Sequence, residues 1–237
     1  MARIEVGAVI RRVWEIYVDQ ASVLMPAAAV VFATTGILAA LLATSGSLGG
    51  LLLAEVIVIV AQMLFTGMVV ELVADVQDGR RDSSAGALLR AAVPVLGQLI
   101  IVGLIASIAI VVGLFLLVVP GLILITIWSV FVPVIVLERA PGLSSLGRSR
   151  ELVRGNGWQV FGVLFVLFVL VGVVSLLITA AAASGGTGAA IVARVVVGVL
   201  TAPLAALASA VLYFDLGGVR PAARAPAAEQ PNPFGGS

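Results

Sequence analysis

The chain contains no histidine and no cysteine. Disulfides, imidazole or thiolate metal ligands, a cysteine nucleophile and a general base of near-neutral pKa are therefore all closed to it. Carboxylates, guanidinium groups and hydroxyls remain. Two ionisable side chains, Glu55 and Arg194, fall inside long apolar runs. An ionised group near the middle of a bilayer costs about 2.5–3.5 kcal/mol on insertion scales, so each calls for a partner or a route to water. Both descend from the same end of their runs. That placement is compatible with an intramembrane ion pair, with separate snorkelling, and with a transport or proton-relay role. Gln62 and Gln98 offer hydrogen bonds across helices. Glu138 closes another apolar run and is followed by Arg148, Arg150 and Arg154. Arg148 or Arg150 can return to pair with Glu138, and the three guanidinium groups can contact anionic phospholipid, each at about 1 kcal/mol, or a membrane partner. Simple retention of basic residues on one side explains them equally. Glu71, Asp75, Asp78 and Asp82 have the composition of a metal site, but interleaving with Arg80 and Arg81 makes them a solvated surface. No catalytic residue, metal or cofactor is expected.

The elements that must position these residues follow from composition. The 237 residues are 62% apolar and 11% charged, with a mean hydropathy of +1.25. Ordinary soluble domains are about 45–50% apolar and about 25% charged. A soluble enzyme or a nucleic-acid binder is excluded on that ground, and the net charge of +1 gives no reason to expect a polyanionic partner. A crossing helix needs about 20 apolar residues. Runs of that kind extend from Ala21 to Ala43, Leu48 to Val70, Val95 to Val118, Gly121 to Leu137, Trp158 to Ala182 and Ala190 to Leu212. The third and fourth form one uncharged stretch, which Val118-Val119-Pro120-Gly121 should break, since proline lacks the helical donor. The expected fold is an all-α membrane protein of six transmembrane helices arranged as three hairpins.

Twelve of the thirteen arginines precede the first run, lie between the second and third or the fourth and fifth, or follow the sixth; Arg194 is the exception. Basic residues in short loops stay on the cytoplasmic side, so both termini are expected there, in the cell membrane. Trp14, Tyr17, Trp158 and Tyr213 fall where interfacial aromatics sit. Residues 1–20 read as an amphipathic interfacial helix, with Val6, Val9, Ile10, Val13, Ile16 and Tyr17 on one face. The expected division is this helix, a transmembrane domain over 21–216 and a disordered, Pro-, Gly- and Ala-rich cytoplasmic tail over 217–237 that includes Asn232-Pro233-Phe234. Acidic residues near the start and a long first run argue against a cleaved signal peptide. Ser84 to Ala92 and Leu143 to Arg154 are further amphipathic leads, the second with Leu143, Leu146, Leu152 and Val153 toward lipid. With Gly7 to Arg12 they share small residues ahead of an arginine. This is either a threefold repeat of lead helix plus hairpin or the ordinary look of hairpins entering from the basic side.

Pro120-Gly121-Leu122-Ile123-Leu124, Trp128, Pro133 and Glu138, then Leu146 to Gly155 (Leu-Gly-Arg-Ser-Arg-Glu-Leu-Val-Arg-Gly) and Trp158, resemble the glycerophosphoryl diester phosphodiesterase membrane-domain family. The opening from Val6 to Trp14 with Tyr17 is similar to that family's lead helix. The resemblance implies a membrane unit alone: the catalytic domain that names the family is absent from this sequence, and its chemistry needs histidines. The expected function is that of a non-enzymatic, multi-pass scaffold or accessory protein contacting membrane lipid or another membrane protein. The alternative is a small transporter or lipid-translocating protein. Absence of lysine beside thirteen arginines suggests a GC-rich bacterial genome.

Overall fold

The computed structural model describes residues 4–43, 46–77 and 93–219. Helix α1 (Val6–Asp19) leads into α2 (Ala21–Ala43), and α3 (Leu48–Gln77) returns. After a short 3-10 turn at Val93–Val95, α4 (Leu96–Leu116) pairs with a broken span made of α5 (Val118–Ile127) and α6 (Phe131–Glu138). Then follow α7 (Ser144–Val153), α8 (Gly157–Ala182) and α9 (Gly186–Asp215). Six helical segments are long and apolar enough to cross a membrane, and no strand occurs among the described residues. α2 packs on α3, α4 on α5 and α8 on α9, which gives the three hairpins. α9 is the hub, touching α1, α2, α3, α6 and α8.

Apolar side chains point outward as well as inward. Phe115, Phe168 and Leu176 are among many large exposed hydrophobics, a surface suited to lipid and not to water. The interior is filled near the arginine-rich end, where Phe65, Met68, Leu207 and Tyr213 are fully buried.

Several boundaries differ from those the sequence suggests, each for a physical reason. α3 and α9 are 30 residues long, about 45 Å, and so overreach a hydrocarbon core of about 30 Å. Counting apolar residues stops α3 at Val70, but Leu72, Val73 and Ala74 are buried and carry the helix two turns further. The hairpin between α4 and α5 breaks at Leu117, whose φ of −157° and ψ of 130° are extended. Pro120 instead sits in the first turn of α5, where a missing N–H costs nothing. Gly121 serves close approach: a Cβ there would lie 2.4 Å from the Leu114 side chain and 2.7 Å from its backbone nitrogen.

The break between α5 and α6 is set by Pro133, whose ring cannot coexist with a helical carbonyl at Ser129. The freed acceptors are taken by serines from other helices: Ser209 Oγ donates to the Ser129 carbonyl at 2.7 Å, and Ser149 Oγ to the Ile127 carbonyl at 2.8 Å. That second bond docks α7 on the bundle. Leu146, Leu152 and Val153 are consequently buried in protein, not turned to lipid, and only Leu143 of that expected lipid face is exposed. α1 likewise buries Val9 and Val13 where it packs on α8 and α9, while Trp14 stays exposed. The second lead (84–92), Asp78, Asp82, Arg80, Arg81, Arg90 and the tail from Arg220, with Asn232-Pro233-Phe234, lie outside the described residues.

Candidate functional site

At the arginine-rich end, α6 stops at Glu138 because Arg139 adopts a left-handed backbone, φ 54°. The chain turns through Pro141 and Gly142 and enters α7, which presents Arg148 to Glu138. Arg148 Nε lies 3.0 Å from Glu138 Oε2, and its Nη1 3.5 Å from Glu151 Oε2. Tyr213, from the end of α9, donates its hydroxyl to Glu138 Oε1 at 2.9 Å and accepts the Val219 N–H at 2.9 Å. One carboxylate thus ties α6, α7, α9 and the chain after it. By accepting the Arg148 hydrogen bond, Glu138 pushes that guanidinium above its ordinary range against the opposing effect of burial. Around this latch, Arg139 lies 3.9 Å from Glu71 of α3, the Gln98 amide donates to the Ala140 carbonyl, and Arg12 of α1 pairs with Asp215 of α9 at 3.2 Å.

Of the four residues expected at this surface, Glu138 and Arg148 come together and point inward. Arg150 on α7 and Arg154 just after it stay exposed. Tyr213 was expected among the interfacial aromatics and is instead fully buried in the latch. A tyrosine at the end of a crossing helix serves either purpose, and only its neighbours decide. Trp14 and Trp158 are exposed, as interfacial aromatics must be. The Tyr17 hydroxyl is turned inward to the Leu200 carbonyl at 3.1 Å, next to Pro203, and burial pushes that phenol upward.

The second place where charge meets apolar protein lies toward the opposite end. α2, α3 and α9 form a half-open cleft of about 680 Å³, lined mostly by apolar side chains. Glu55, Gln62 and Arg194 all line it. α9 begins at Gly186, four residues before the expected start, so Arg194 lies about 12 Å along its helix and Glu55 about 10 Å along α3. The two charges are at matched depth. They are nevertheless not in contact: no ion pair within 4.0 Å joins Glu55 to Arg194 among the described residues. The structure therefore replaces the expected direct pair with a shared cavity.

The family model for a domain of unknown function, DUF8558, matches residues 87–216. The chain belongs to the DUF8558 family. The matched region runs through the α4 to α9 segments, and so contains every residue of the Glu138, Arg148 and Tyr213 latch. Glu55 and two walls of the cavity, α2 and α3, lie outside it, so in this DUF8558 protein the cavity is completed by the N-terminal hairpin. No curated protein and no solved structure matches the chain.

Proposed function

We propose that this multi-pass membrane protein is a non-enzymatic scaffold or accessory unit of the cell membrane, its arginine-rich end on the cytoplasmic side. Through Arg150 and Arg154 that end contacts anionic headgroups or another membrane protein. One observation carries the reading: Arg148 is consumed by an internal bond to Glu138, whereas Arg150 on the same short helix and Arg154, the residue that follows it, are exposed. A guanidinium fixed at an interface is suited to bidentate contact with phosphate or carboxylate. The filled interior behind the latch and the lack of histidine and cysteine fit a static role. The resemblance to the membrane unit of the glycerophosphoryl diester phosphodiesterase membrane-domain family is compatible with the same assignment.

The test is photocrosslinking in native membranes from probes placed beside Arg150 and Arg154. Adducts with anionic lipid or a membrane protein are expected, and they should weaken in an Arg150→Gln, Arg154→Gln double variant. Adducts unchanged by the double variant would sink the proposal. A second reading, a small transporter or lipid-translocating protein, draws on the cavity shared by Glu55 and Arg194. It requires flux through reconstituted vesicles that Glu55→Gln abolishes.

A further inference from the structure

Glu55 and Arg194 pose an energetic problem that the helices around them do not solve. Each charge sits about two turns inside a spanning helix, exposed in a half-open cleft whose walls are mainly apolar, without an ion-pair partner among the described residues. Opposite charges facing one such space are compensated by a molecule that carries both signs. An anionic amphiphile satisfies Arg194 and is repelled by Glu55; a cationic one does the reverse; a neutral one leaves both unpaired. The remaining lining, including Phe32, Val58 and Ile191, suits hydrocarbon. The volume of about 680 Å³ falls within the range of about 300–1,000 Å³ typical of ligand sites.

We propose that the cavity between α2, α3 and α9 seats one phospholipid whose headgroup joins a phosphate to a primary ammonium, the phosphate on Arg194, the ammonium on Glu55 and an acyl chain along the apolar wall. A primary ammonium is favoured over a quaternary one because it donates hydrogen bonds to a carboxylate. Guanidinium is the matching group for phosphate. This seat is independent of the surface formed by Arg150 and Arg154 and holds whether or not the lipid moves.

Native mass spectrometry of the full chain in mild detergent tests it, titrating with phosphatidylethanolamine and with phosphatidylglycerol, which has the phosphate but not the ammonium. One phosphatidylethanolamine should be retained, with a preference of about tenfold or more over phosphatidylglycerol, the scale of one charge-assisted hydrogen bond. Glu55→Gln should remove that preference, Arg194→Gln should weaken both lipids, and Ala39→Trp, which fills the cavity, should remove both. Equal retention of the two lipids by the unaltered chain, or retention of neither, overturns the proposal without needing any variant to fold. A preference that survives Glu55→Gln overturns it too. Loss of crosslinks from Arg150 and Arg154 leaves this measurement unaffected, so the two proposals fail separately.

Discussion

Replacing Arg148 with alanine removes the cation from the centre of the latch and leaves the Glu138 carboxylate with Tyr213 as its remaining side-chain partner in that network. The Glu138 side chain is 14% exposed and that of Arg148 36%. Breaking a fully buried ion pair costs about 3–5 kcal/mol, an exposed one about 0.2–1 kcal/mol. Screening at the half-open arginine places this pair between the two, at about 1–2 kcal/mol. For a chain of this size, that lowers the melting temperature by about 2–8 °C. Tyr213→Phe strands the Val219 N–H and removes a donor from Glu138, at about 1–2 kcal/mol. Because the two residues share one carboxylate, the double variant should depart from additivity by about 0.5 kcal/mol or more. The assay is tryptophan-monitored thermal unfolding of the full chain in a single detergent. Arg150→Ala, an exposed residue of the same helix, is the control and should shift stability by no more than about 0.5 kcal/mol. Equal effects of the Arg148 and Arg150 changes, or strictly additive Arg148 and Tyr213 changes, would refute the latch.

Gly121→Ala should destabilise by about 1–3 kcal/mol in the same assay, since the added methyl meets the Leu114 backbone and side chain. Gly172→Ala, where a Cβ meets nothing within 4 Å in the middle of α8, should be neutral or stabilising by up to about 1 kcal/mol. The chain has no native cysteine, so single thiols report sidedness cleanly. Ser184→Cys should react with a membrane-impermeant reagent in intact cells and Arg150→Cys only after lysis; the opposite pattern inverts the proposed orientation.

Composition alone determines that this chain lives in a membrane. With 62% apolar and 11% charged residues no folding arrangement provides a water-facing surface, and run lengths near 20 residues set the number of crossings at six. Hydropathy also locates Glu55, Arg194 and Glu138, because a charge bordering or interrupting an apolar run stands out whatever the fold. Their partners were not legible. Glu138 could meet Arg148 or Arg150, and the choice depends on the phase of α7, where Ser149 bonds to the Ile127 carbonyl at the break between α5 and α6, 22 residues upstream. Tyr213 joins that carboxylate across a sequence separation of 75 residues, through packing alone. Arg194 and Glu55 line one cleft at equal depth because α9 begins a turn early, yet they form no ion pair among the described residues although α9 packs on α3. Local physics reads the cost of each charge along the chain, but which groups offset that cost is a property of helix phase and separation, and these exist only once the bundle has packed.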